Sequence, residues 1–472
     1  MREKMLGFHD VSHTDTKACR RKTWTADIRR LSLMSGALPV SSLAALALMV
    51  CTCMAAQTVM MIAAPVARWA SVDAAMREGL LSIGVVIAVF TTWAGRALGR
   101  NCVVIGRVCG RGADDILLRR FTATSAAVVS GYAAGCVPLL VRTAYRATWG
   151  APPVLAMMSD GMALMMLCAF GMVLGALIGC RWAYLVVPVA TLALMISPWA
   201  VTGSVLSGTG HSVLSLGVLW FHAFPDIGWG PTWQAGVFRC TLFAAATLTM
   251  VRYGMARVTG RSPHMDMTLW CSAGVCVAMM VSALCWPVPL VRRDTDKLSC
   301  VREPNFTVCL HPADEPLRPS VTQTVQEVLR LAPQDKVLRI AEYVYAEQEP
   351  ETDMVLMSVP DATSSRASIE QAVIENMGVV VSGSEMCLHS DAPSEEKILA
   401  DEIAKAVDSS VRRRLDAGSV PIGVDEVTGD PVYSSYQPLL DRLNDEEFAQ
   451  WYTTHREAIL SCHVTESDLP AA

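Results

Sequence analysis

Residues Met267–Leu290 read MTLWCSAGVCVAMMVSALCWPVPL and contain no charged side chain. A helix rises about 1.5 Å per residue, so about 20 residues cross a hydrocarbon layer of about 30 Å. This stretch is therefore long enough to span a membrane. The chain before it is mostly apolar and basic, whereas residues 291–472 are polar and acidic. The side of the membrane on which residues 291–472 lie depends on how many spans precede them.

Composition separates the chain into two parts. Apolar residues make up 52% of it, which is typical of an integral membrane protein rather than a soluble one. The net charge of −5 is the sum of two opposite contributions. Residues 291–472 hold 16 Lys and Arg against 33 Asp and Glu, and are therefore acidic. Residues 1–290 hold 23 Lys and Arg against 11 Asp and Glu, and are therefore basic. Basic loops are typical of a cytoplasmic surface beside anionic lipid, and an acidic region is typical of a soluble domain.

The lengths of the apolar runs predict an α-helical polytopic membrane bundle of about seven transmembrane helices, followed by a soluble α/β or α+β domain. Residues 1–35 form a cytoplasmic basic tail, 36–291 the transmembrane domain and 295–472 the soluble domain. Arg239 lies near the outer end of the sixth span, where we expect it to snorkel to the interface. The spans are roughly 38–63, 79–95, 121–141, 161–180, 183–203, 235–251 and 267–290.

Lys and Arg in the short loops predict the orientation. With the N-terminus in the cytoplasm, the inner segments hold 18 basic residues, and the outer loops hold four, namely Arg68, Arg77, Arg142 and Arg146. An odd number of spans then places residues 295–472 outside. We expect a multi-pass membrane protein with a cytoplasmic N-terminus.

Two inner segments suggest contact with lipid or with a partner. Thr16–Met34 is either a basic amphipathic helix on the membrane or part of a disordered basic tail. The 96–120 loop is the most basic interior loop, and its apolar patch Cys102–Ile105 predicts a short helix lying against the membrane. This loop is either a positive-inside anchor or a docking element for a cytoplasmic partner. Its candidate docking residues are Arg107, Arg111, Arg119 and Arg120.

The outer loop at roughly 204–234 contains no Lys or Arg and several Trp and Phe side chains that suit the headgroup level. Val213–Phe221 is too short to span, which favours a re-entrant or interfacial helix. His211, His222 and Asp226 lack the close spacing of a metal site, so we interpret them as surface groups.

Residues 295–472 show alternating patterns. Helices are predicted over Val321–Leu331, Ser368–Met377 and 394–416, with two more within 435–462, and strands over Val337–Ala346 and Met354–Val359. Asn444 with Glu447 three residues later predicts a capping box at the start of the last helix.

Four of the 16 cysteines lie in the proposed outer domain: Cys300, Cys309, Cys387 and Cys462. An even number in an oxidising compartment favours disulfides, and we expect the pairs Cys300–Cys309 and Cys387–Cys462. A zinc site is the alternative, because Cys309, Cys387 and Cys462 each have a histidine close in sequence, namely His311, His389 and His463. These spacings match no standard zinc module.

The sequence has no GxxxxGK[ST] loop, HExxH helix, GxSxG elbow or GxGxxG fingerprint. We therefore expect no enzymatic activity, cofactor or nucleic-acid partner, and any ATP hydrolysis would come from another polypeptide. An extracytoplasmic hydrolase using His311, Asp314 and Glu315, or His389, is a further alternative, although no nucleophile–base set with a recognisable context occurs.

Two stretches carry a resemblance to a known group of proteins. CVREPNFTVCLHP at Cys300–Pro312, and the C-terminal region with Trp451, His455 and Asp468-Leu469-Pro470, resemble uncharacterised bacterial membrane proteins grouped with permease subunits of ABC exporters. The membrane part is similar in layout to type-2 ABC exporter permeases. In these, a basic amphipathic helix precedes span one, a coupling helix follows span two and outer helices follow span five.

The resemblance implies a permease subunit that forms a homo- or heterodimer and is energised by a separate ATPase chain docking on the 96–120 loop. The seventh span and the outer domain depart from the ordinary six-span permease. The alternative is a membrane-anchored sensory or binding protein whose outer domain captures a peptide or envelope ligand.

Overall fold

A computed structural model describes residues 38–105, 112–202, 229–259, 262–285, 291–293, 298–342, 354–357, 365–387, 394–418, 421, 423–424 and 431–470. The tail helix predicted over Thr16–Met34 and the interfacial helix predicted over Val213–Phe221 lie outside these residues. So do His211, His222 and Asp226.

The membrane region consists of long apolar helices, as the apolar runs predict. Five of them are long and apolar enough to cross a membrane, namely α1 to α4 and α6, and α5 and α7 contain shorter apolar segments. The prediction of seven spans is thus met in part. The helices are α1 Val40–Ala63, α2 Trp69–Ile105, α3 Gly112–Arg146, α4 Val154–Ile178, α5 Ala183–Thr202, α6 Trp233–Thr259 and α7 Met267–Cys285.

Helices α2, α3, α4 and α6 begin before the apolar runs that predicted them. The second span was predicted over 79–95, but α2 begins ten residues earlier, at Trp69. The prediction of a separate short helix at Cys102–Ile105 is wrong, because α2 continues without a break to Ile105. Polar residues inside an uninterrupted hydrogen-bonded helix do not end it, whereas a hydropathy window stops at them.

Helices α2 and α4 pack closely through small residues. A Cβ added at Gly95 of α2 would lie 2.1 Å from the Met172 carbonyl oxygen of α4, and one added at Gly175 would lie 2.8 Å from the Thr92 carbonyl oxygen. The backbones of α2 and α4 therefore approach each other closely at two places, at Gly95 of α2 and at Gly175 of α4. Glycine permits such an approach in membrane helices, where close van der Waals contact drives association.

The region after the membrane helices combines a four-stranded sheet with helices. Strand β3 Ser299–Arg302 is antiparallel to β4 Phe306–Leu310, while β5 Leu338–Glu342 and β6 Met354–Met357 continue the sheet in parallel, in the order β3-β4-β5-β6. Short pairs are formed by β1 Trp229–Pro231 with β2 Val291–Arg293, and by β7 Gly423–Val424 with β8 Pro431–Val432. The helices are α8 Arg318–Leu331, α9 Arg366–Ser382, α10 Ser384–Cys387, α11 Ser394–Arg414, α12 Gln437–Leu440 and α13 Asp445–Leu460.

Apolar faces of the sheet and helices form one core in this region, which we call the outer domain after its predicted location. Val308, Val325, Val407 and Tyr452 are fully or almost fully buried in it. The helices and strands predicted here agree with the structure within a few residues. The capping box is also confirmed, because Asn444 Oδ1 accepts from the Glu447 N–H at 2.9 Å and Glu447 Oε2 accepts from the Asn444 N–H.

The outer domain lies against one end of the helical bundle. Its contacts are with the loops that follow α1 and α3, through Arg68 and Thr148. At the opposite end, Arg96 Nε donates to the Gly179 carbonyl, and Arg120 Nη1 donates to the Ala94 carbonyl. Arg96 and Arg120 of the 96–120 segment thus lie at the end of the bundle opposite to the outer domain.

Candidate functional site: a buried charge network beside a domain junction

Four charged side chains are buried inside the membrane bundle near the end that carries the outer domain. Asp73 and Arg77 lie on α2, Asp160 on α4 and Arg239 on α6, and each is at most 4% exposed. Asp160 and Arg239 are both the seventh residue of their helix. At 1.5 Å per residue, they lie about 9 Å along the axis from the helix end.

The first pair of the network lies within one helix. Residues four apart share a helix face, and Arg77 Nη2 lies 2.9 Å from Asp73 Oδ2. The other carboxylate oxygen of Asp73, Oδ1, has no hydrogen-bond donor among the described residues.

The second pair joins α4 to α6 and is looser. Arg239 Nη2 lies 3.7 Å from Asp160 Oδ1, and its Nε donates to Ser159 Oγ at 3.3 Å. The Arg239 guanidinium also lies over the Phe243 ring, 5.3 Å from its centroid. Since 3.7 Å is too long for a hydrogen bond, this is an ion pair without a direct proton donation to Asp160 Oδ1.

Tyr132 of α3 brings a fourth helix to the network. Its hydroxyl lies 3.4 Å from Asp160 Oδ2 and 3.2 Å from the Met76 carbonyl oxygen of α2. A hydroxyl has one proton, so Tyr132 donates to only one of these acceptors at a time. The network therefore contains a donor with two alternative acceptors on two helices.

Two carboxylates and two guanidiniums balance in formal charge. Burying ions is costly, and removing one partner of a buried pair leaves the other uncompensated. Ionisable residues within membrane segments are rare, and they often mark pathways for substrates or ions. Chemically, this network can exchange ion-pair partners and accept a polar ligand or a proton, because Asp73 Oδ1 and Asp160 Oδ1 lack hydrogen bonds within the described residues.

The sequence did not reveal this network. Arg239 was predicted to snorkel to the interface, and that prediction is wrong, because α4 supplies Asp160 and Ser159 as partners within the bundle. Arg77 was assigned to an outer loop, whereas it lies inside α2. The signal that was available is the four-residue spacing of Asp73 and Arg77, which places opposite charges on one helix face.

A second charged cluster joins the outer domain to the bundle. Arg68 precedes α2, and its Nε donates to Asp314 Oδ1 at 2.8 Å, with Nη2 contacting the same oxygen. The side chain of Asp314 is fully buried and that of Arg68 is 12% exposed. Thr148 Oγ1 also donates to the Pro312 carbonyl at 2.8 Å, and Val66 packs in the core of the outer domain. We call this region the domain junction.

Glu342 lies beside Asp314 in the domain junction. It ends β5 and is 1% exposed. Its Oε2 accepts from the His311 N–H at 2.7 Å. Burial, the negative charge of Asp314 and a hydrogen bond with that carboxyl raise the pKa of Glu342 well above its usual value, while the His311 N–H and Arg68 act in the opposite direction.

His311 and Trp149 complete the domain junction. The His311 Nδ1 accepts from the Ala313 N–H at 3.2 Å, so this nitrogen is deprotonated. Its ring meets the Trp149 ring edge-on, with centroids 4.6 Å apart. The structure therefore brings together His311 and Asp314 of the hydrolase hypothesis. It adds Glu342, which the sequence analysis did not select.

The other hydrolase candidates lie elsewhere. Glu315 forms an ion pair with Arg318, in which Arg318 Nε donates to Glu315 Oε1 at 2.6 Å, and this contact lowers the pKa of Glu315. His389 lies outside the described residues. Trp451 and His455, which the sequence analysis named only for the family resemblance, pack against each other on α13, with ring centroids 5.4 Å apart.

The four outer-domain cysteines pair as expected. Cys300 and Cys309 face each other across β3 and β4, and Cys387 lies beside Cys462, with both pairs at bonding distance. The three Cys–His neighbours considered for zinc therefore have their thiols engaged with other cysteines. Within the described ranges, no group of three or more His, Cys, Asp or Glu side chains is arranged to hold a metal ion.

The candidate docking arginines differ in their surroundings. Arg119 is exposed on α3, whereas Arg120 is half-buried and donates to the Ala94 carbonyl of α2. Arg107 and Arg111 lie outside the described residues. Arg119 is therefore the described member of the set that is best placed to meet another protein.

No protein-family model matches this chain, and no curated protein or solved structure is detectably similar to it.

Proposed function

We propose that the chain is the membrane-spanning permease subunit of an ABC-type exporter in a bacterial plasma membrane, with the outer domain outside the cell. A separate ATPase chain docks on the 96–120 segment, and two permease chains form the transport unit. The supporting observation is the buried network of Asp73, Arg77, Asp160 and Arg239, because charges within a bilayer are costly and suit a path for polar groups.

The network is placed to couple the proposed docking segment to the outer domain. Helix α2 carries Asp73 and Arg77, begins next to Arg68 of the domain junction and ends in the 96–120 segment. One continuous helix thus links the proposed docking segment, the network and the outer domain. Movement of either end of α2 would displace the Asp73–Arg77 pair relative to Asp160.

An ATPase measurement tests this proposal. The full chain is purified in mild detergent from its native membranes, and vanadate-sensitive ATP hydrolysis per chain is measured. Arg119→Glu is expected to abolish the activity, because it reverses an exposed charge in the docking segment. Arg146→Glu makes the same change at the opposite, exposed end of α3 and should retain it. No co-purifying hydrolysis with the wild-type chain, or equal activity in both variants, would contradict the proposal.

A second function is favoured by a groove on the outer domain. A membrane-anchored binding or sensory protein would capture a peptide or envelope ligand there. The groove has a volume of about 450 Å³ and is lined by Arg413, Tyr433, Ser434, Gln437, Pro438, Asp441 and Arg442.

Photo-crosslinking in living cells tests the binding function. A photoreactive amino acid replaces exposed Tyr433 in the groove, or exposed Thr454 on α13 as a control. A defined adduct formed only from position 433, in cells whose purified chain shows no associated ATPase, would favour capture over transport. Equal labelling from both positions would exclude the groove as the binding site.

A further inference from the structure

Two buried carboxyl groups, those of Asp314 and Glu342, interact at the domain junction, and one oxygen of each already accepts a hydrogen bond. Asp314 Oδ1 accepts from Arg68, and Glu342 Oε2 accepts from the His311 N–H. The remaining oxygens, Asp314 Oδ2 and Glu342 Oε1, are buried and receive no hydrogen from any described N–H or O–H donor. Buried polar atoms in native proteins are nearly always hydrogen-bonded. A proton on one carboxyl provides the missing donor.

We propose that Glu342 carries a proton through which its Oε1 hydrogen-bonds Asp314 Oδ2, and that release of this proton weakens the docking of the outer domain on the bundle. The proton site is built across the junction, because Arg68 and Val66 come from the loop before α2, and Thr148 and Trp149 from the loop after α3.

The charges around Glu342 explain why it holds the proton. Burial disfavours its carboxylate most strongly, and the negative charge of Asp314 adds to this. Arg68 and the His311 N–H favour the carboxylate but do not outweigh burial, so the pKa of Glu342 is raised. One guanidinium beside one shared proton balances the two carboxyl groups. After proton release, two buried carboxylates share the single positive charge of Arg68.

The direction of the pH effect follows from linkage. An acid whose pKa is higher in the docked state stabilises docking fully below its ordinary pKa, and this stabilisation is lost as pH rises through the raised value. In this proposal, undocking exposes Glu342 to water, where the ordinary pKa of a Glu side chain is about 4.3. Between these two pKa values, the docking equilibrium constant falls by about tenfold per pH unit for one proton.

This inference goes beyond the proposed function and does not depend on it. Docking of the outer domain requires no ATPase, so the two proposals fail separately. Loss of docking with rising pH would give either a permease or a binding protein a response to external alkalinity.

Energy transfer between two dyes tests the proton site. The full chain in lipid nanodiscs carries azide-bearing amino acids in place of Tyr145, which is exposed at the outer end of α3, and of Glu446, which is exposed on α13. After labelling with a donor and an acceptor dye, transfer is followed while pH rises. We expect wild-type transfer to change in a one-proton transition above the ordinary Glu range. Constant transfer over the whole stable pH range would overturn the proposal.

Substitution of Glu342 tests whether this side chain is the group that releases the proton. Glu342→Gln keeps the size, supplies an amide N–H to Asp314 and cannot release a proton, so we expect docking without the alkaline transition. Glu315→Gln is the matched control, because Glu315 is an outer-domain carboxyl that pairs with Arg318 rather than with Glu342, and its transition should match wild type. A wild-type transition in Glu342→Gln would overturn the proposal.

Infrared spectroscopy gives an independent readout. A shared proton produces a protonated-carboxyl carbonyl band that persists above the ordinary Glu pKa and disappears in the same pH range as the transfer change. Glu342→Gln should lack this band while retaining the size-exclusion profile of a folded protein. Persistence of the band in folded Glu342→Gln would assign the proton elsewhere and overturn the proposal.

Discussion

Arg68 Nε donates to Asp314 Oδ1 at 2.8 Å, although the two residues are 246 positions apart in the chain. This contact joins the loop between α1 and α2 to the first helical turn after β4 of the outer domain. Because the pair is almost completely excluded from water, its integrity is expected to govern how firmly the two parts hold together.

Replacing Arg68 with Gln should weaken the docking of the outer domain by about 3 kcal/mol, since it leaves a buried carboxylate without its counter-charge. The dye pair at positions 145 and 446 measures this change at fixed pH. Arg366→Gln is the control, because Arg366 pairs with Glu370 in an exposed position. Exposed pairs contribute little, so docking in that variant should equal wild type. Unchanged docking in Arg68→Gln would show that the pair is dispensable.

Neutralising one member of the membrane network should destabilise the bundle more than neutralising both. Asp160→Asn removes the negative charge of the Asp160–Arg239 pair and Arg239→Gln removes the positive one, whereas the double variant removes both charges. Thermal unfolding in nanodiscs measures the coupling. We expect each single variant to lose more stability than the double variant, and additive losses would contradict a paired network.

Replacing Gly95 with Ala should destabilise the packing of α2 on α4 by about 1–3 kcal/mol, because the new methyl group meets the Met172 backbone. Gly161→Ala on α4 is the matched control, since a Cβ there meets no atom within 4 Å. Thermal unfolding of both variants in the same nanodiscs compares them. Equal unfolding temperatures would argue against the close approach of the two helices.

Removing the Cys387–Cys462 bond should cost about 4 kcal/mol of unfolding free energy, compared with about 3 kcal/mol for Cys300–Cys309. The reason is that the first closes a loop of 75 residues and the second a loop of 9. Paired Cys→Ala variants and denaturant unfolding measure the difference. Mass mapping of the unreduced chain checks the connectivity, and free thiols at all four positions would refute both bonds.

Acid should weaken the contact of α13 with α8 and α11. Hydrogen bonds from Arg414 and then Arg330 lower the pKa of Asp445. A lowered carboxyl pKa contributes stability that is present above the ordinary Asp pKa and is lost as pH falls through the folded-state value. Asp445→Asn should therefore reduce stability at neutral pH and lose less on acidification than wild type.

Hydrogen exchange of the outer domain in the full chain, corrected for the intrinsic rate at each pH, measures this acid response. Glu457→Gln provides the comparison, because Glu457 is an exposed carboxyl on the same helix. The same acid sensitivity in Asp445→Asn as in wild type would assign the effect to another group.

Local chemistry made much of the fold predictable. Apolar length located the membrane helices, since a helix must satisfy its backbone within the bilayer, and the capping box at Asn444 marked the start of α13. The expected cysteine pairs also lie together in the structure, because an antiparallel register places Cys300 opposite Cys309.

The candidate sites were far less visible in the sequence. Asp73, Asp160 and Arg239 lie on separate helices, and a hydropathy window treats each as the edge of a span. Glu342 resembles any polar residue at the end of a strand, and its partner Asp314 resembles a turn residue. Their importance depends on burial and on what faces them.

The sequence by itself determined a basic, multi-helix membrane region followed by an acidic mixed α/β region, because helix length and charge are properties of contiguous residues. The tertiary structure decided that Arg239 points into the bundle, and that Asp314 meets both Arg68 and Glu342. Ion pairing and shared protons depend on distances of a few ångströms between distant chain segments, and only packing sets those distances.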